Sequence, residues 1–383
     1  MTAKLSKNNS LNDKFNRLLK NAGITVNGSA PQDIQLHQTG IVDAALARGN
    51  LALGEAYMKG AWDADRLDEF FFHLLRGRID QKINPKSLIW QALKVKLLNL
   101  QSNSRAFDVG KQHYDKGNDL YEAMLDSRLT YTCGYWQNAD NLEDAQTAKL
   151  DLICRKLKLE KGMKVLDIGC GWGSFMRYAA EHYGVECVGV TVSREQVAWA
   201  EEHHSDYPLT FKLQDYRELG TTDAERHSFD RVVSVGMFEH VGRKNHRTFM
   251  EVAARCLKPE GLMLLHSIGK NERDTTTDPW IDKYIFPNGD LPSVGQIGDA
   301  MDGVFVAEDL HNFGADYDKT LMAWAANFEA AWPELKQNYD ETFYRMWRYY
   351  LYSCAGAFRA RDIQLWQWVL SPQGQLGGYQ RVS

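Results

Sequence analysis

The nine residues Val165-Leu166-Asp167-Ile168-Gly169-Cys170-Gly171-Trp172-Gly173 constrain the fold of this chain more than any other stretch. An apolar run passes straight into a turn with three glycines, and a helical pattern follows from Ser174 to His182. Glycine tolerates positive φ and lets a backbone approach a ligand closely. The first amides of the new helix then point at whatever polar group sits there. With KVLDIG (164–169), the short apolar runs ECVGVTV (186–192), FDRVVSVG (229–236) and GLMLLHSIG (261–269) are separated by helical segments. This alternation predicts an α/β, Rossmann-like fold: a parallel sheet with helices on both faces. A dinucleotide site would want G-x-G-x-x-G and an acid about 20 residues further on. Here Ser174 stands at the last glycine position, and the second strand ends in Thr191-Val192-Ser193 without a carboxylate.

The chain before residue 106 reads differently. Leu11, Phe15, Leu18 and Leu19 keep helical spacing, polar punctuation follows at Asn27-Gly28-Ser29, and no strand–helix alternation appears. Residues 1–80 are therefore expected to form a small, mainly helical domain, and residues 106–383 the catalytic domain. Between them, Arg76, Arg78, Lys82, Lys86, Lys94, Lys96 and Arg105 are opposed only by Asp80, and Ile89, Leu93, Leu97 and Leu100 share one helical face. Residues 81–105 thus read as a basic amphipathic linker. It either lies on an anionic bilayer surface or packs its apolar stripe on the catalytic domain.

Charge and composition narrow the partners. A net charge of −5 argues against a nucleic-acid partner. No stretch approaches the ~20 apolar residues that span a bilayer, and MTAKLSKNNS lacks the apolar core of a secretory signal. The six cysteines show neither C-x-x-C nor zinc-ligand spacing. They read as free thiols in a reducing, cytoplasmic compartment, with no metal site.

The glycine loop, Ser193-Arg194-Glu195-Gln196 after the second strand and Gln214-Asp215-Tyr216 after the third together resemble class I S-adenosylmethionine-dependent methyltransferases. On that reading Gln196 offers its amide to ribose hydroxyls and Asp215 accepts from an adenine amino group. Ser193 and Gln196 also fit a helix capping box, and Asp215 a cap of the next helix. A wider resemblance covers nearly the whole chain. The stretches NAGITVNGSAPQDI, GKQHYDKGNDLY (110–121), YTCGYW (131–136), VLDIGCGWG (165–173), SVGMFEHVG (234–242), WIDKYIFPNG (280–289), HNFGADYDKTLMAW (311–324) and CAGAFRARDIQLWQ (354–367) resemble cyclopropane-fatty-acyl-phospholipid synthases. These enzymes add a methylene across a cis double bond of a membrane phospholipid. The resemblance implies S-adenosylmethionine as methyl donor and an unsaturated phospholipid as substrate. It also implies peripheral attachment to the inner face of the membrane and a homodimer. It implies cofactor contacts at Tyr131, Thr132, Asp167, Gly169, Gly171, Gly173, Thr191, Gln196, Asp215 and Tyr216. It further implies a bicarbonate ion as general base, held by Cys133, Glu239, His266, Ile268 through its backbone, and Tyr317.

The chemistry sets its own demands. An isolated alkene is a poor nucleophile and cannot be deprotonated to improve it. Methyl transfer leaves positive charge on the lipid carbons, and a proton must leave before the ring closes. Such a site needs dryness, fixed dipoles, aromatic faces worth roughly 0.5–2 kcal/mol each over a cation, and one base. Phe343, Trp347, Tyr350 and Cys354 fall on one face of a predicted helix, and Tyr131, Tyr135, Trp136, Phe238 and Tyr317 sit in family-like motifs. Any of these aromatics reads equally well as core. Glu239 and His266, placed just beyond the ends of the fourth and fifth strands, are the candidate protein bases. Cys354 is the residue that the resemblance marks as active. Because a thiol nucleophile needs a depressed pKa, it is expected to line a pocket and not to attack. Two rivals remain open at this point: a methyltransferase of the same fold with another acceptor, and an inactive lipid-binding relative.

Overall fold

The computed structural model describes residues 15–79, 118–273 and 277–382. The basic linker, residues 81–105, lies outside the described residues, as do Leu11 and the start of the GKQHYDKGNDLY stretch.

Two compact units emerge. The first comprises Met1–Leu98, Thr275–Pro287 and Tyr317–Ile363. It contains a short antiparallel ribbon, β1 (Gln35–Leu36) with β2 (Trp62–Asp63), and the helices Ile41–Arg48, Asn50–Met58, Leu67–Arg76, Pro279–Tyr284 and Glu341–Arg359. Helix Ala315–Leu335 belongs to it from Tyr317 onward. Asp340 starts helix Glu341–Arg359 by accepting the Phe343 amide at 2.8 Å. Tyr349, on that helix, is ringed by Phe71, Tyr57 and Trp280 at centroid distances of 5.0, 5.6 and 4.4 Å. A Cβ on Gly356 would come within 2.6 Å of the Phe71 Cβ, so only glycine lets this helix lie against Leu67–Arg76. Arg359 then bridges Asp68 at 2.7 Å and Asp318 at 2.9 Å.

Helices Ile41–Arg48, Asn50–Met58 and Leu67–Arg76 thus share one compact unit with residues of the segment Tyr317–Ile363. Trp62 and Phe71 pack on Tyr349 of helix Glu341–Arg359 within this unit.

The second unit holds a seven-stranded sheet in the order β5-β4-β3-β6-β7-β9-β8. The strands are β3 (Lys164–Ile168), β4 (Glu186–Thr191), β5 (Leu209–Leu213), β6 (Phe229–Val235), β7 (Leu257–Lys270), β8 (Val306–Asn312) and β9 (Ile363–Ser371). Strands β5, β4, β3, β6 and β7 run parallel, and β8 pairs antiparallel with β9 at one edge. Neighbouring residues alternate between two cores. Leu166, Val232 and Met263 face one cluster, which includes Phe249 and Ile297. Val165, Val233 and Leu264 face the other, which includes Ile153 and Met176. A sheet covered on both faces explains why its strands read as continuous apolar runs. Among the described residues no helix is long and apolar enough to cross a membrane.

Candidate active site

Where β3, β4 and β6 end, the second unit opens into a cavity of about 1360 Å³, its solvent-open mouth included. Backbone geometry shapes it. Gly169 and Gly171 have φ of 89° and 56°, and a Cβ on Gly171 would meet nothing within 4 Å. The loop thus leaves open space at Gly171 while Gly169 packs against Met237. Helix Ser174–Tyr183 follows with no side-chain cap, and Ser174 and Phe175 line the cavity. At the end of β6, Gly236 has φ of 69°, and a Cβ there would lie 2.6 Å from Thr132 Cγ2. This close approach seats Tyr131 and Thr132 on the rim.

Of the expected cofactor contacts, Tyr131, Thr132, Asp167, Gly169, Gly171, Thr191, Gln196, Asp215 and Tyr216 all line this one cavity. Gly173 does not. It is the left-handed N-cap residue of the helix, where a Cβ would strike the Phe211 ring at 2.8 Å. The capping box at Ser193 is half made. Its hydroxyl accepts the Gln196 amide at 3.3 Å, but the Gln196 side chain turns to Thr191 Oγ1 at 2.8 Å. Asp215 caps the turn Tyr216–Glu218 and pairs with Arg217 at 2.8 Å, so it serves the local structure as well as the cavity wall.

Lys149, which sequence reasoning passed over, also lines the cavity. It is buried, and its Nζ donates to Thr132 Oγ1 at 2.9 Å. Burial pulls this lysine down to about 8, against the nearby charges of Asp126, Cys133 and Asp167. Burial pushes the Asp167 carboxyl up to about 7, with the Lys149 charge opposing. Asp167 Oδ1 has no hydrogen-bond partner. A buried, unsatisfied carboxylate oxygen beside an open glycine cradle fits the charged amino-acid end of S-adenosylmethionine.

Beside the cavity stand the candidate proton-handling groups. Glu239 lies in the short helix Phe238–His240 after β6, and its Oε1 accepts the Ile268 amide at 2.6 Å. Burial pushes its carboxyl up to about 7, and Oε2 has no partner. His266 lies within β7 and not beyond its end, because that strand runs on to Lys270. It is 1 % exposed, and burial with the charges of Lys149 and Lys156 holds it well below the usual imidazole range. Cys133 is fully buried, and its Sγ donates to Gly134 O at 3.1 Å. The Ile268 amide, expected to face an anion, is engaged by Glu239.

The remaining aromatics divide. Phe238 is core, stacked on His246 at 4.3 Å and edge-on to Phe249 at 5.2 Å. Tyr135 packs on Phe313 at 5.3 Å, and the Trp136 amide donates to Asp316 at 2.8 Å. Tyr317, Phe343, Trp347, Tyr350 and Cys354 belong to the helical unit. There Tyr317 stacks on Phe358 at 4.5 Å, and Trp347 stands between Phe343 and Tyr350 at 5.6 and 5.2 Å. Burial, with the charge of Asp278, pushes the Cys354 thiol up to about 12. Among the described residues no group of His, Cys, Asp and Glu has the arrangement of a metal site.

A doubly covered parallel sheet whose strand ends carry this glycine cradle defines a class I S-adenosylmethionine-dependent methyltransferase. Comparison with known proteins narrows it. Residues 101–368 match the family model described as mycolic acid cyclopropane synthetase. The cyclopropane-fatty-acyl-phospholipid synthase of Escherichia coli (strain K12) is 55% identical over 93% of this chain and 92% of its own. The cyclopropane synthase MmaA2 of Mycobacterium tuberculosis, a solved structure, superposes with a TM-score of 0.65 at 30% identity, covering 71% of this chain and 99% of that one. Coclaurine N-methyltransferase shares the fold alone, with a TM-score of 0.68 at 20% identity over 83% of this chain and 98% of that one. The chain belongs to the cyclopropane-fatty-acyl-phospholipid synthase family.

Proposed function

We propose that this enzyme converts the cis double bond of an unsaturated fatty acyl chain, carried by a membrane phospholipid, into a cyclopropane ring. The observation that carries the reading is the 55% identity, over nearly the whole chain, to a protein named for that reaction. Bound in the cavity, S-adenosylmethionine supplies an electrophilic methyl group. Asp167, Gly169 and Gly171 would hold its amino-acid end, Thr191 and Gln196 its ribose, and Asp215 and Tyr216 its adenine. The alkene π pair forms a bond to the methyl carbon as the carbon–sulfur bond breaks onto sulfur. One proton then leaves the added carbon, and the freed pair closes the ring. Water-poor surroundings keep the intermediate cation from capture.

The proton needs an acceptor. Bicarbonate is the proposed base, with Cys133, Glu239 and His266 of the second unit as the residues that would hold it, and the Ile268 amide fixing Glu239. The buried, unpartnered Glu239 Oε2 and His266 Nε2 fit such an ion, because they provide polar atoms that a guest must satisfy. The basic stretch of residues 76–105 supports attachment to the inner face of the membrane by attraction that salt screens. Homodimer formation is carried by the resemblance.

The test combines labelled S-adenosylmethionine with vesicles of unsaturated, anionic phospholipid, in buffer with and without dissolved carbon dioxide. A lipid heavier by one CH2, with its double bond gone and its yield dependent on carbon dioxide, is expected. A methylated lipid that keeps its double bond overturns the ring-forming reading. A yield independent of carbon dioxide overturns bicarbonate as base. Replacing Lys82, Lys86, Lys94 and Lys96 together by Glu is expected to weaken vesicle sedimentation.

A further inference from the structure

We infer that Lys156 and Gln367 are positioning residues that hold the His266 ring as the Nε2–H tautomer, so that it serves the site as a neutral hydrogen-bond donor. The functional half rests on the reading above, in which His266 faces the reacting anion.

The geometry is a chain of three buried side chains on three elements. Lys156 ends helix Leu142–Lys156 and is fully buried. Its Nζ lies 2.9 Å from Gln367 Oε1 and 3.0 Å from His311 Nδ1. His311 on β8 and Gln367 on β9 are directly paired in the antiparallel ladder, so one ammonium reaches both. Gln367 Nε2 in turn lies 3.2 Å from His266 Nδ1.

Donor and acceptor arithmetic fixes the direction. Burial pulls Lys156 down to about 7, and below that pH its ammonium donates and accepts nothing. The amide oxygen of Gln367 therefore belongs to Lys156. Turning the amide over would press its NH2 against another donor. That leaves the Gln367 NH2 facing His266, and an NH2 only donates. Nδ1 must accept, which puts the single proton of the neutral ring on Nε2. Nε2 has no partner although the residue is almost wholly buried. A buried donor without a partner is costly, and an oxygen of a bound anion would relieve it. In this state His266 cannot take a proton at the nitrogen facing the site.

The direction of the relay is open to inversion. Gln367→Glu keeps the side-chain size and the partner of Lys156 but offers His266 only acceptors. Nδ1 must then carry a proton. Nitrogen NMR on the full-length enzyme with labelled histidine reads the proton directly, and the His266→Asn variant assigns the signal. Wild type is expected to show a protonated Nε2 and a bare Nδ1. Gln367→Glu is expected to protonate Nδ1 and to lower kcat on the order of 10–100-fold with KM for phospholipid little changed. Lys156→Met, which frees the amide to turn, is expected to give a mixture of tautomers. A wild-type Nδ1–H, or an unmoved proton in both variants, overturns the relay. A moved proton with unchanged kcat leaves the relay standing and overturns the assignment of His266 to the reaction.

Discussion

The backbone amide of Ile268 donates to Oε1 of Glu239 across 2.6 Å. The bond ties the helical turn after β6 to the neighbouring strand β7 and spends one carboxylate oxygen on the fold. Oε2 is left to whatever enters the site. An ionised carboxylate only accepts, whereas a protonated one also donates. Burial holds this carboxyl up to about 7, so below that pH the proton sits on the group and Oε2 can donate.

Glu239→Gln follows from this arrangement. Gln can keep the bond from Ile268 but cannot change its charge. Turnover is expected to fall by about 10²–10⁴, the usual contribution of proton-handling groups. Affinity for S-adenosylhomocysteine, measured by calorimetry, should stay within about threefold. Stability should move the other way. The carboxyl titrates near 4.5 when unfolded and at about 7 when folded. The native state therefore holds the extra proton between those values. Its contribution to stability is present below 4.5 and is lost as pH rises to 7, on the order of 3 kcal/mol in all. Urea denaturation should find the variant more stable than wild type at pH 8, with the gap nearly closed at pH 4. Equal stability at both values would contradict the raised carboxyl.

Lys149→Met tests the support beneath Asp167. The lysine charge is what opposes burial at that carboxyl. Without it Asp167 should stay protonated to higher pH and attract the cofactor's ammonium less. Calorimetric titration with S-adenosylhomocysteine at neutral pH is expected to show about tenfold weaker binding, or ~1.4 kcal/mol. Part of the loss should be regained as pH rises and Asp167 ionises. Unchanged affinity would assign Lys149 to folding alone.

Legibility in the sequence followed physical range. Strands β3, β4 and β6 were readable because both faces are buried, which turns each into an unbroken apolar run between glycine turns. The glycine loop was readable because positive φ leaves a residue signature. Lys149 and Lys156 were missed, although both sit on the stripe formed by Leu142, Ala145 and Ile153. Two lysines seven apart on an apolar helix face are the signal that was available. Gln367 had no signal, because its meaning depends on β8 and β9 pairing beside β7. The packing of Tyr57 on Tyr349 was equally hidden, since that contact joins residues more than 200 apart.

Gly236→Ala probes how tightly the rim at Thr132 is held. The new Cβ would meet Thr132 Cγ2 at 2.6 Å, in a backbone conformation that L-residues rarely adopt. Weaker cofactor binding and a stability loss of about 1–3 kcal/mol are expected. Adding Thr132→Ser removes the struck methyl but keeps the oxygen that Lys149 uses. The double variant should regain cofactor affinity while keeping the part of the stability loss due to positive φ. Calorimetry and urea melts separate the two. No recovery of binding would mean that the rim is shaped elsewhere.

Cys354→Ala asks whether the thiol acts as a nucleophile. A thiol held up to about 12 is almost wholly protonated at neutral pH, and only the thiolate attacks. The charge of Asp278 raises it further. Turnover of the variant on unsaturated phospholipid vesicles is therefore expected within about tenfold of wild type, the scale of a modest packing defect of ~1.4 kcal/mol. Alkylation of wild-type Cys354 by a thiol reagent should be slow at pH 7 and should rise with pH without a plateau below pH 10. A loss of about 10³-fold or more in the variant, together with an intermediate covalently attached to Cys354 in rapid-quench mass spectra, would restore the nucleophile.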